Sequence, residues 1–206
     1  MTDEEFLLIA GRARESRNIE FKSGGPIRND HLLRKVLRAV LGMTNNQDGG
    51  IVILGVDENL GHAEFVGMTS EDAQTWSQDS FGDKCANWVD PAVSVEIEMK
   101  RYLGRYFVVI EVAEFFESPV FARKGYQSPQ GDMVLREGAL YVRGVRKPET
   151  IEVRTSEEMR RLPSLALEKR LAEFYRLTAK AGYIPPGNVH PSDEERFAKQ
   201  VQDFSK

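Results

Sequence analysis

Residues Ile51 to Val56 form a continuous apolar run bounded by glycines. An apolar run this short, bounded by turn formers, suits a central strand covered on both faces. Ahead of it, Leu32, Leu33, Val36, Leu37, Val40 and Leu41 recur at spacings of three and four, which predicts an amphipathic helix opened by Asn29 or Asp30. Gly49-Gly50 then turns the chain tightly between helix and strand, with Asn45 or Asn46 capping the helix end.

The remaining pattern interleaves helices, strands and hairpins. Thr2 or Asp3 caps a first helix carrying Phe6, Leu7, Leu8 and Ile9, ending near Gly11. A strand follows around 18–22, then a Ser-Gly-Gly-Pro loop at 23–26. Asn59-Leu60-Gly61 reads as a turn into a strand at 63–66, and Thr69 or Ser70 opens one helix to about Trp88, with Trp76 and Trp88 as core positions. Strands at 93–99 and 106–112 make a hairpin around Leu103-Gly104. Ser118-Pro119-Val120-Phe121 is extended, 125–131 is a loop, and 139–143 is another strand. Ser156 caps a short helix that stops by Pro163. A longer helix, 165–181, puts Leu167, Leu171, Phe174 and Leu177 on one stripe, and Pro185-Pro186-Gly187 precedes a last helix from Ser192. The fold class this predicts is α+β, a mixed, largely antiparallel sheet flanked by helices. It divides as a domain over 1–163 and a helical C-terminal extension over 164–206.

At 206 residues and 41% hydrophobic, the chain can bury one good core. No apolar run is long enough to span a bilayer. The start, Met1-Thr2-Asp3-Glu4-Glu5, lacks the basic and apolar regions of a signal peptide. Cys85 is the only cysteine, so no internal disulfide forms, which fits a reducing cytoplasm; it reads as a packed helix residue. A net charge of −4 argues against a protein that coats nucleic acid indiscriminately. The charge is uneven, however: residues 11–40 carry eight basic side chains against three acidic ones, and 57–98 carry ten acidic against one basic. The basic segment can bind a polyanion locally, in a salt-sensitive way.

Two carboxylate groups stand at apparent strand ends. Glu15 and Glu20 flank the entry to the first strand, and Asp57-Glu58 leaves the apolar strand. Lys22 lies two residues beyond Glu20 and so on the same strand face. Carboxylates converging beside a lysine suit a hard divalent cation acting on a phosphodiester, the lysine holding the phosphate. The plainer alternative has Glu15 and Glu20 as surface partners of Arg14, Arg17 or Lys22. Tyr141, Arg143, Arg146 and Lys147 cluster near a strand end, either gripping a nucleic-acid backbone or balancing Glu149 and Glu152. No phosphate-loop or dinucleotide-binding glycine pattern occurs, and His31, His62 and His190 lack the spacing of zinc ligands.

The order Glu15-x4-Glu20-Phe21-Lys22, helix, Asn45…Gly49-Gly50, apolar strand, Gly55-Val56-Asp57-Glu58, Ser118-Pro119-Val120 and Tyr141-Val142-Arg143-Gly144 resembles the AlbA-like domain of the Schlafen family over roughly residues 10–162. The resemblance implies a metal-dependent endoribonuclease for structured RNA, particularly tRNA, using Mn²⁺ or Mg²⁺. It places the catalytic and metal-binding acids at Glu15, Glu20 and either Glu58 or Asp57, with spacing favouring Glu58, and Lys22 beside them. Arg17, Arg34, Arg38, Tyr141, Arg143, Arg146 and Lys147 are the expected nucleic-acid contacts. Family proteins with two lobes enclose RNA in a basic groove, so one lobe here implies a homodimer, with Leu167, Leu171 and Phe174 as a contact, and a defence or toxin role. The competing expectations are a non-catalytic nucleic-acid-binding module or transcriptional regulator, and an inactive assembly subunit.

Overall fold

A computed structural model of the chain describes residues 1–59 and 62–182. The elements in order are α1 (Asp3–Arg12), β1 (Ile19–Lys22), α2 (Asp30–Thr44), β2 (Gly50–Leu54), β3 (Val56–Asn59), β4 (His62–Phe65), α3 (Ser70–Gln74), α4 (Gln78–Trp88), β5 (Val89–Asp90), β6 (Val95–Tyr102), β7 (Arg105–Val112), β8 (Phe121–Ala122), β9 (Tyr126–Gln127), β10 (Met133–Leu135), β11 (Tyr141–Arg143), β12 (Thr150–Glu152) and α5 (Ser156–Lys180). The fold is α+β. By internal contacts the chain divides into two units, 1–166 and 167–206.

In the first unit a four-stranded sheet runs β1-β2-β7-β6. Strands β1 and β2 are parallel, and the pairs β2–β7 and β7–β6 are antiparallel. The apolar run is the covered strand its composition predicts as far as Leu54; Gly55, with φ of +102°, ends it there, and Val56 opens β3 instead. Val52 and Leu54 face the larger core, packed with Leu33, Val36, Leu37 and Val40 of α2. Ile53 faces the opposite way, into a smaller core with Phe6, Phe21, Val56, Phe107 and Val109. Period-two alternation thus delivers one strand to two cores, which is why it contains no polar residue. Aromatic edges fill the smaller core; the Phe6 and Phe107 ring centroids are 5.5 Å apart.

Capping residues set the helix starts. Thr2 opens α1 with a capping box to Glu5, Asn29 accepts from Leu32 N–H at α2, and Thr69 accepts from Asp72 N–H at α3. Gly49 turns the chain into β2 with φ of +65°, a conformation that glycine adopts without Cβ strain.

Two expectations are corrected here. The single helix from Thr69 to Trp88 is two helices, because Ser77 breaks the run and caps α4 by accepting from Ser80 N–H. Trp76 therefore lies in the connection, where it is buried and donates through Nε1 to Gly25 O at 2.7 Å. The stop at Pro163 does not occur either. α5 continues through it, losing one backbone donor, while Ser164 Oγ donates to Arg160 O at 3.0 Å in the next position. Cys85 is buried, and that burial pushes its thiol up to about 12, which suits a packing role.

Of the second unit, α5 continues to Lys180, and Leu167, Leu171, Phe174 and Leu177 are exposed. The expected break at Pro185-Pro186-Gly187 and the helix from Ser192 lie outside the described residues. No helix of the described residues is long and apolar enough to cross a membrane.

Candidate catalytic and nucleic-acid-binding site

The segment between α1 and β1 carries Glu15, and β1 carries Glu20. Ser16 and Ile19 bridge to each other through reciprocal backbone bonds of 3.2 Å, so the chain between Glu15 and Glu20 is a tight turn. Glu15 Oε1 accepts the Phe21 N–H at 2.7 Å, which ties the glutamate back onto the strand edge. Burial raises the Glu15 carboxyl above its ordinary range, Phe21 N–H and Lys22 oppose the rise, and the negative charges of Glu20 and Glu58 add to it. Glu15, Glu20, Glu58 and Lys22 therefore share one electrostatic neighbourhood, assembled from the turn after α1, β1 and β3.

Glu20 is buried on β1 and accepts from three side chains. Its Oε2 pairs with Arg143 and accepts from Thr150 Oγ1 at 2.9 Å, while its Oε1 pairs with Lys22. Lys22 Nζ also donates to Phe21 O at 2.9 Å. Glu58 is exposed near the end of β3, and Asp57 is half-buried opposite Glu64 in the β3–β4 register. Among the described residues, no three His, Cys, Asp or Glu side chains are grouped so that they could hold a metal ion. Glu20 itself is paired with two cations, Arg143 and Lys22.

Beside Glu15 lies an open cleft of about 740 Å³. Arg12, Arg14 and Arg17 from the end of α1 and the following turn, together with Arg146 and Lys147 from the β11–β12 loop, line it, and among the described residues Glu15 is its one acidic wall residue. Gly144 makes the loop possible: its N–H bonds Glu149 O at 2.8 Å, and a Cβ there would stand 2.7 Å from Lys147 O.

The expected nucleic-acid contacts separate into two groups. Arg17, Arg146 and Lys147 are exposed and reach the cleft. The other four are turned inward. Arg143 is only 1% exposed. Tyr141 is buried under Arg38, with its hydroxyl accepting from Arg136 N–H at 2.8 Å. Arg38 donates to Val134 O at 3.3 Å and Thr150 O at 3.1 Å. Arg34 stacks 3.7 Å over the Trp88 ring and bonds Asp30 at 3.1 Å. These four places correct the sequence-based expectation: apart from the i,i+4 pair of Arg34 with Asp30, tertiary partners and ring faces that no local pattern displays hold these side chains. Arg12 and Arg14 are the cleft residues that expectation missed, although they belong to the basic segment it identified.

Residues 15–144 match the family described as Schlafen, AlbA_2. The chain belongs to this family. The Schlafen AlbA_2 match begins at Glu15 and ends at Gly144, so it spans the acidic turn, α2, the central strands and the buried Arg143. Among solved structures, the chain is similar to the DIP2311 protein from Corynebacterium diphtheriae, at 16% identity and a TM-score of 0.49, covering 77% of this chain. The chain spans 28% of the length of that protein. It is also similar to the N-terminal domain of a RecG-related protein from Nitrosomonas europaea, at 23% identity and a TM-score of 0.46, covering 65% of this chain and 86% of that one. No curated protein matches.

Proposed function

We propose that this Schlafen AlbA_2 chain is a divalent-cation-dependent endoribonuclease that cleaves structured RNA of the tRNA type. The observation carrying this reading is the position of Glu15, which is at once a wall of the basic cleft and a member of the Glu15, Glu20 and Glu58 neighbourhood. A polyanionic backbone lying along Arg12, Arg14, Arg17, Arg146 and Lys147 passes Glu15.

The donor set fits a hard cation in reduced form. Mg²⁺ commonly takes one or two carboxylates and completes its shell with water and phosphate oxygens. Glu15 and Glu58 would hold it, and it supplies charge stabilisation on the phosphate and an activated water when bound. We choose Glu58 over Asp57 because the charge of Glu58 acts on Glu15. Lys22 spends two of the three ammonium donors on Glu20 and Phe21 O, which leaves one N–H for a phosphate oxygen. Glu15, partly desolvated and beside two acids, carries a charge that a cation makes easier to keep. The exposed Leu167, Leu171 and Phe174 of α5 suit a second copy of the chain, and a strict monomer by light scattering would remove that part of the reading.

The test is incubation of purified protein with total tRNA, with Mn²⁺, Mg²⁺ or EDTA, read on a denaturing gel. Discrete fragments that appear with metal and vanish with EDTA support the reading. Intact tRNA under every metal condition overturns it.

A further inference from the structure

We infer that Arg143 is the positioning residue of this site, and that Glu20 is its buried counter-ion. The inference rests on the nuclease reading for the meaning of the site, but its geometry is independent of that reading.

The Arg143 guanidinium directs its donors inward. Nε donates to Arg17 O at 3.0 Å. Nη1 pairs with Glu20 Oε2 and donates to Thr150 Oγ1 at 3.1 Å. Nη2 donates to Ser16 O at 3.0 Å, Pro148 O at 2.9 Å and, at 3.4 Å, Ile19 O. Three of these carbonyls belong to the turn that joins Glu15 to Glu20. A planar fork can gather carbonyls from several directions at once, which a lysine ammonium on a flexible stem does less well. Arg143 therefore sets the shape of the turn, and through it the distance of Glu15 from the strand edge. With 1% exposure it has no route to RNA.

Glu20 completes the arrangement. One oxygen is shared by Arg143 and Thr150 and the other is taken by Lys22. Glu15 thus lines the cleft, while one oxygen of Glu20 holds Arg143.

The test has two arms. First, unfolding by urea is compared for the wild type, Glu20→Gln, Arg143→Met and the double variant. The inference expects each single change to shift the unfolding equilibrium at least tenfold, and the double variant to be no worse than the poorer single. Additive effects within twofold overturn the pairing. Second, tRNA cleavage with Mn²⁺ is measured for Arg143→Lys, which keeps the charge but not the fork. The expected result is a kcat at least tenfold lower with KM within twofold. A raised KM with unchanged kcat would make Arg143 an RNA contact and overturn the positioning role. If the wild type cleaves no RNA, the nuclease reading fails and the first arm alone decides the clamp.

Discussion

Arg143 and Glu20, 123 residues apart in the chain, meet as an ion pair in the interior of the first unit. Removing one member of a buried pair leaves the other charge uncompensated, at a cost of about 3–5 kcal/mol. Glu20→Ala is therefore expected to lower the unfolding free energy by about that amount, measured by urea denaturation. The consequence for function is practical. Loss of activity in Glu20→Ala follows from a disturbed turn as readily as from a lost metal ligand, so Glu15 and Glu58 are the cleaner positions for testing catalysis. A Glu20→Ala variant as stable as the wild type would remove the clamp from the account.

Asn45 is the second long-range tie. Its Nδ2 donates to Val120 O at 2.6 Å and Tyr141 O at 2.9 Å, and its Oδ1 accepts Val120 N–H at 2.8 Å, all within the core. One amide thus links the end of α2 to β11, the strand that carries Arg143. Asn45→Ala strands buried backbone groups and is expected to destabilise the protein by about 2–3 kcal/mol. Asn45→Asp replaces the donor with a second acceptor facing two carbonyls and should be worse. Equal midpoints for wild type and Asn45→Ala in denaturant would show that the amide is dispensable.

Local pattern made much of the fold legible in the sequence, because the relevant physics is local. The alternating burial of Val52, Ile53 and Leu54, the caps at Thr2, Asn29 and Thr69, and the turn at Gly49 each follow from a few neighbouring residues. The same holds for the site's outline, since Glu15, Glu20 and Lys22 sit together on one turn and strand. What escaped was every assignment that depends on a distant acceptor. Arg34, Arg38 and Arg143 looked like a free positive surface, yet Trp88, the carbonyls of Val134 and Thr150, and Glu20 draw them inward. Ser77 likewise outweighed a helical pattern that seemed continuous from Thr69 to Trp88.

Glu15 should make stability fall as pH rises. Its folded carboxyl titrates above the unfolded value of about 4.3, so the native state binds the proton more tightly. The cost of the ionised side chain is fully present above the folded pKa and absent below the unfolded one. Glu15→Gln keeps an oxygen for the Phe21 N–H and has no charge to desolvate. Without divalent metal, it is expected to unfold at higher urea than the wild type at pH 7, the gap closing as the pH falls towards 4. Parallel stability curves across that window would contradict the raised carboxyl.

The cleft gives a salt prediction. Lys147 is exposed on its wall, whereas Arg38 is committed to two backbone carbonyls. Each phosphate contact contributes about 0.7–0.9 to the slope of log K against log salt. Lys147→Ala should therefore reduce the slope for tRNA binding by roughly 1, and Arg146→Ala should do the same. Arg38→Met should leave the slope unchanged. Fluorescence anisotropy over a salt series checks this, and a slope that falls equally for all three variants would count against the division into cleft-facing and inward cations.

The third acid separates two adjacent carboxylates by strand alternation. Asp57 and Glu58 project to opposite faces of β3, and Glu58 is the one whose charge reaches Glu15. Glu58 is also exposed, so its substitution has no core to disturb. Glu58→Gln is expected to lower Mn²⁺-supported tRNA cleavage by at least a hundredfold, about 2.7 kcal/mol of transition-state stabilisation, while leaving the urea midpoint unchanged. Asp57→Asn should retain cleavage within a few fold. If the two variants exchange these outcomes, Asp57 is the acid that faces the cleft, and β3 must present its opposite face to Glu15.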